Sequence, residues 1–175
     1  MIDQATQGCK ITITKPKSDL SIMGIIIHSK GTAHMNWFSK TLMIETVGQG
    51  FNDFTAQINT QIRQWNVQTG IAYLFVQHTS ASLVINENYD SSAQRDMEEF
   101  LAHIAPEGQN WYQHTLEGLD DSPAHMRSIL TNTSLTIPVD SGKLNLGTWQ
   151  GVYLAEHRRG KHQRRVLLRV LSVTD

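Results

Sequence analysis

Apolar positions along this chain recur with two different periods. Residues 37–46, WFSKTLMIET, are rich in aromatic and branched side chains and predict a strand. Phe54, Ile58, Ile62 and Trp65 then fall at helical spacing. They predict a helix over 54–68, capped by Asn52 or Asp53 and stopped by Gly70. IAYLFVQ (71–77) is apolar on both faces, the pattern of a central buried strand, and SLVIN (82–86) continues extended. A second helix is predicted from a cap at Asp90, Ser91 or Ser92 to about Ile104. Its stripe is Met97, Phe100, Leu101 and Ile104, and Pro106 ends it. After a polar loop over 107–121, Ser122 and Pro123 read as the cap and first residue of a short helix, PAHMRSIL. Strands are predicted within SLTIPV, TWQGVYLAEH and RRVLLRVLSV, punctuated by Gly142, Gly147 and Gly160. Helices inserted among runs of strands predict an α+β fold with a mainly antiparallel sheet.

The first 34 residues differ from the rest. They carry Pro16, scattered charge and one short apolar patch, with no strong periodicity. Met35, followed at once by a strand pattern, reads as a natural start. Residues 1–34 are then a peripheral or disordered N-terminal extension, and 35–175 a single domain. The competing reading is an extra strand over SIMGIIIH; under either one, His28 and His34 weigh little as site residues.

Composition narrows the function classes. The chain is 39% apolar and 18% charged, which suits a soluble globular protein. A formal net charge of −1 gives no general electrostatic case for nucleic acid or an anionic membrane. No apolar run is long enough to span a bilayer, and 22–27 is too short for a signal peptide. The single cysteine, Cys9, excludes an intrachain disulfide and a multi-Cys zinc site, and fits the reducing cytoplasm. Eight histidines, in contrast, are generous for this length.

Three segments concentrate the candidate chemistry. In HTSASLVINENYD (78–90), His78 ends the apolar face of Ala72, Leu74 and Val76, where an imidazole needs a carboxylate, a backbone group or a metal. In HTLEGLDDSPAH (114–125) two histidines and three acids share one polar loop. His125 lies early in the short helix, whose positive end favours a neutral imidazole able to ligate a metal or accept a proton. Asp120 and Asp121 could orient an imidazole or simply solvate the start of the helix. In the third segment, GTWQGVYLAEHRRGKHQRR, alternation puts Glu156 and Arg158 at one end of a strand, where they could pair. The basic run through Arg164 and Arg165 could meet phosphate or merely solubilise a hairpin tip. Dinucleotide, P-loop, HExxH and GxSxG motifs are absent, and nothing recognisable activates Ser80 or Ser82 as a nucleophile.

Taken together, QHTSASLVINENYD, HTLEGLDDSPAHMRSIL and GKLNLGTWQGVYLAEHR resemble the YjbQ family, in matching order from about Asn36 to the C-terminus. Leu119 departs from the family, which often has Pro there. The resemblance implies a compact α+β, sandwich-like domain with two longer helices and one short one, usually a trimer. It also implies secondary thiamine-phosphate synthase activity, a transfer that joins a pyrimidine pyrophosphate to a thiazole phosphate. Carried over, His78, His114 and His125 are the expected metal ligands, for a divalent ion with zinc favoured and magnesium possible. Glu156, Arg158 and Asp120 are the expected catalytic groups, and Asn86, Glu87, Asp90 and Arg164 the expected substrate contacts. The implied partners are a small phosphorylated or anionic metabolite and further copies of the chain, with no nucleic acid and no membrane. A metal-dependent hydrolase at the same histidines and a non-catalytic, trimeric small-anion-binding protein are the alternatives.

Overall fold

The computed structural model describes residues 11–14, 23–27 and 34–174. Elements follow in the order β1 (Ile11–Thr14), β2 (Met23–Ile27), β3 (His34–Thr46), β4 (Gly50–Asp53), α1 (Thr55–Gln64), β5 (Thr69–Val76) and β6 (Ala81–Glu87). Then come α2 (Ser91–Ile104), α3 (Asp121–Leu130), β7 (Ser134–Asp140), β8 (Lys143–Leu144), β9 (Gln150–Glu156) and β10 (His162–Thr174). One sheet has the order β1-β2-β3-β10-β5-β7-β8, and a second has β4-β9-β6. The strand pairs are antiparallel. The α+β reading therefore holds. Within the first 34 residues β2 pairs with β3, so the added-strand reading describes 23–27, whereas Pro16 and His28 lie outside the described residues.

Alternation explains the layering. Leu42 and Ile44 of β3, Ala72, Leu74 and Val76 of β5, and Val166, Leu168 and Val170 of β10 all face inward. They meet Leu83 of β6 and Val152 and Leu154 of β9 from the other sheet, and Phe54, Ile58 and Ile62 from α1. α2 packs on the far side of the small sheet through Leu101, against Phe51, Tyr153 and Ala155. This second layer is why β9 is buried on both faces, where alternation alone predicts one. Phe100 and Ile104, expected in the α2 stripe, are instead exposed, and Leu101 is the buried residue of that helix. On the outer face of the large sheet Trp37, Met43, Ile71, Tyr73 and Phe75 are also exposed.

Two stop signals act differently from their sequence reading. α1 ends at Trp65 and Asn66, the latter with φ of 56°, before Gly70 is reached. Gly70 lies within β5, where a Cβ would stand 2.2 Å from the Leu171 carbonyl oxygen; close backbone approach explains the glycine. The short third helix starts at Asp121, and Ser122 does not cap it: its hydroxyl donates to the His114 carbonyl at 2.9 Å.

Candidate metal centre

α3 and the loop before it bring His114, Asp121 and His125 together, with one ligand atom from each within 4.8 Å of the others. Asp121 and His125 are one helical turn apart, so both side chains project from the same face. His114 is tied to the start of the helix by the Ser122 hydroxyl. The His125 Nδ1 lies 3.1 Å from the Thr79 carbonyl oxygen. That oxygen can only accept, so Nδ1 carries a proton and Nε2 is the nitrogen that faces Asp121.

Asp121 is the centre of the arrangement and is only 2% exposed. One of its oxygens accepts from Arg158 Nη1. The other, Oδ2, lies 2.7 Å from His114 Nε2 and 3.6 Å from His125 Nε2. Oδ2 is buried with no hydrogen-bond partner, and its close contacts are the ion-pair contacts to these two imidazoles. A buried carboxylate oxygen facing two imidazole nitrogens is what a cation needs. Ligand atoms around a tetrahedral zinc stand ~3.3 Å apart, given bonds of ~2.0–2.1 Å. The two observed separations bracket that spacing, and the donor set fits a divalent transition metal. An open cleft of about 320 Å³, walled by Met126 and Ile129, lies beside His114 and His125.

Arg158 fixes this carboxylate. Its Nε donates to Asp120 Oδ2 at 3.0 Å and its Nη2 to the Glu117 carbonyl at 2.7 Å. Asp120 Oδ2 also accepts from the Arg159 backbone N–H at 2.8 Å. Burial would raise the Asp120 pKa, but the Arg159 N–H and the Arg158 guanidinium outweigh it and hold the carboxyl below its usual range. Asp120 and Arg158 thus tie this loop to the segment after β9, with Arg158 donating to Asp120, Asp121 and the Glu117 carbonyl.

The other predicted site residues stand elsewhere in the chain. His78 is not in the cluster: its Nε2 accepts from the Arg165 backbone N–H at 2.9 Å, and its Nδ1 faces Arg164 Nη1 at 3.4 Å. Burial, then the charges of Arg164 and Arg165, lower its pKa. What the HTSAS segment contributes to the centre is the Thr79 carbonyl. Glu156 does not pair with the Arg158 side chain. Its carboxylate accepts from Arg164 Nε at 2.6 Å and Nη2 at 2.5 Å, from the Thr46 hydroxyl at 2.9 Å and from the Arg158 backbone N–H at 2.9 Å. With those directions taken it has none left for a metal or a substrate proton, whereas Arg164 spends its Nε and an Nη2 donor on it and keeps Nη1 toward His78. Asn86, Glu87 and Asp90 lie toward the far end of β6, ~20 Å along the strand from Ala81 by the rise per residue. Asn86 Oδ1 accepts from its neighbour Glu87 N–H, and Asp90 caps α2 by accepting from Ser92 N–H at 2.8 Å. That backbone hydrogen bond lowers the Asp90 pKa.

Sequence reasoning did not single out His157. It is 2% exposed, and its Nε2 lies 2.8 Å from the Ser82 hydroxyl, which in turn accepts from Thr131 at 2.6 Å. Burial, then the Arg127 charge, lower its pKa to about 4. Between pH 4 and 6.5 the unfolded chain therefore binds the proton that folded His157 refuses. Its contribution to stability is complete above pH 6.5 and is lost as the pH falls toward 4. Wild type is expected to lose roughly 3 kcal/mol more than His157→Gln over that window. Urea denaturation of both proteins at pH 7 and pH 4.5 checks this; parallel pH profiles would refute it.

The chain is an antiparallel α+β sandwich with a His114–Asp121–His125 group at a helix start. The family model described as UPF0047 protein YjbQ-like matches residues 40–173, and the chain belongs to that family. It is 48% identical over 129 residues to UPF0047 protein sll1880 of Synechocystis, spanning 74% of this chain and 88% of that protein. It is 42% identical over 132 residues to UPF0047 protein YjbQ of Escherichia coli, spanning 75% and 95%. A crystal structure of an uncharacterised YjbQ/UPF0047 protein from Clostridium acetobutylicum superposes with a TM-score of 0.68 at 33% identity, covering 75% of this chain and 98% of that one. A YjbQ-like protein of unknown function from Sulfolobus solfataricus shares the fold, with a TM-score of 0.72, 24% identity, and 79% and 99% coverage. Among the described residues no helix is long and apolar enough to cross a membrane.

Proposed function

We propose that the chain is a metal-dependent enzyme acting on a small phosphorylated or anionic metabolite at His114, Asp121 and His125. The leading chemistry is the transfer implied by the family resemblance, joining a pyrimidine pyrophosphate to a thiazole phosphate. The observation that carries the metal reading is the buried Oδ2 of Asp121, without a hydrogen bond and facing two imidazole nitrogens. A divalent cation, zinc ahead of magnesium with two imidazoles in the donor set, supplies positive charge where pyrophosphate departs. The protein's part is orientation. The Thr79 carbonyl orients the His125 ring, Arg158 holds the second oxygen of Asp121, and Ser122 anchors the His114 loop. Met126 and Ile129 give the cleft an apolar wall on which a heterocycle can lie.

One observation favours a second reading, metal-dependent hydrolysis. Arg158 and Arg164 are both paired with carboxylates, which neutralises the charge either would bring to a second phosphate-bearing substrate. The test is pyrophosphate release from the pyrimidine substrate, measured with and without the thiazole phosphate. Release only with both supports the transferase; release from one substrate supports the hydrolase. Saturable binding without turnover supports the binding protein. We further propose a cytoplasmic homotrimer, with the exposed Trp37, Ile71, Tyr73 and Phe75 on the face it would cover.

A further inference from the structure

A second cleft, of about 400 Å³, lies between α2 and the small sheet, with Arg127 of α3 among its lining residues. Phe51, Leu101 and Ala155 supply its apolar surface. Arg127 is 6% exposed and its guanidinium has little to hold it. Nη2 donates to the Ala105 carbonyl at the C-terminus of α2 at 2.9 Å, and Nε is buried without a partner. Among the described residues no carboxylate lies within ion-pair distance of it.

Of the acids lining the cleft or near it, Glu99 is exposed and turned toward His103 at 3.8 Å, and the others are engaged elsewhere. Glu98 Oε1 accepts from Gln94 at 3.0 Å, Glu107 is bonded to Arg159 at 2.6 Å and Gln49 at 3.2 Å, and Glu156 is held by Arg164. His157, also on the cleft, is neutral at physiological pH. Buried charges in proteins are paired or desolvated at high cost, and a lone carbonyl with the weak negative end of a helix is a poor substitute for a counter-ion.

We propose that this cleft binds a small oxyanion, a phosphate or carboxylate group, with Arg127 as its counter-charge. The volume suits a metabolite carrying such a group. His125 and Arg127 are two residues apart on α3, and so point ~200° apart around the helix axis. The anion site is thus separate from the metal centre and goes beyond the activity proposed above.

The test is calorimetric titration of the full-length protein with inorganic phosphate and, separately, acetate, in EDTA at constant ionic strength set by chloride. The chelator removes any contribution from a metal-bound anion. Saturable binding of at least one anion is expected, weakened at least ~10-fold in Arg127→Met, as loss of a charged hydrogen-bond donor predicts. Ala102→Phe, on the exposed face of α2 at the cleft, is expected to block binding while leaving Arg127 and the core untouched. It also carries the test if Arg127→Met does not fold. Response to phosphate alone would identify a phosphate site, and response to both anions a site that also takes carboxylates. Failure of wild type to bind either anion, or undiminished binding by both variants, would overturn the proposal. Metal stoichiometry is expected to be unchanged in both variants, which separates this outcome from failure of the metal centre.

Discussion

Asp121→Asn is expected to lose more than ~100-fold in zinc affinity, beyond the 10–100-fold typical of groups that only orient a ligand. The substitution keeps the size of the side chain and removes its charge. It replaces one of the two carboxylate oxygens now shared between Arg158 and the imidazole pair. His125→Ala should do the same, because it removes Nε2, the nitrogen that faces Oδ2 while Nδ1 is held by Thr79. Arg158→Gln is expected to fall in the 10–100-fold range, since it frees Asp121 without removing a ligand atom. His78→Ala is the discriminating case. With Nε2 bonded to the Arg165 N–H, it should leave metal stoichiometry unchanged. Competition titration with a chelating dye measures all four. If His78→Ala loses metal as His125→Ala does, the centre cannot be the one assembled within this chain, and the ligand set must change.

These contrasts show where sequence was legible and where it was not. The layers of the sandwich follow from local alternation: Ala72, Leu74 and Val76 face the core as their period of two requires, and Ile58 and Ile62 do so with a period near four. The Asp121–His125 pair was only partly legible: one helical turn separates the two, but the helix was read as starting at Pro123, which left Asp121 outside it. Partner choice across the chain was not legible. Nothing local to Arg158 says whether it will turn to Glu156, two residues away, or to Asp121 at the start of α3, far behind it in sequence. The backbone decides, by spending the Arg158 N–H on Glu156 and sending the side chain to the loop. His78 stands apart from the cluster for a similar reason: the β10 register places the Arg165 N–H against its ring. Asp90 read as a contact residue because caps and binding residues draw on the same side chains. His157 gave no signal, since its burial depends on α2 and α3 covering a strand that alternation leaves half-exposed.

Glu156→Gln is expected to destabilise the fold by ~3–5 kcal/mol, the usual cost of leaving one member of a buried pair uncompensated. Glu156 stands at the end of β9 in the small sheet, whereas Arg164 and Thr46 belong to the large one. The carboxylate is thus a polar seam between the two layers, and the amide can accept only half of the bonds that converge on it. Burial works against the charged form, yet the Arg164 bonds, the Arg158 N–H and the Thr46 hydroxyl together hold the Glu156 pKa below its ordinary value. Its stabilising contribution is therefore present above pH 4.5 and declines as the pH falls through the lower folded-state value. Urea denaturation at pH 7 tests the single variant. The double variant Glu156→Leu with Arg164→Met should recover part of the loss, because an apolar pair of similar volume carries no stranded charge. If Glu156 is instead a base or a ligand, Glu156→Gln should stay within ~1 kcal/mol of wild type and lose turnover or metal; if it is the seam, it should lose stability and still bind the ion.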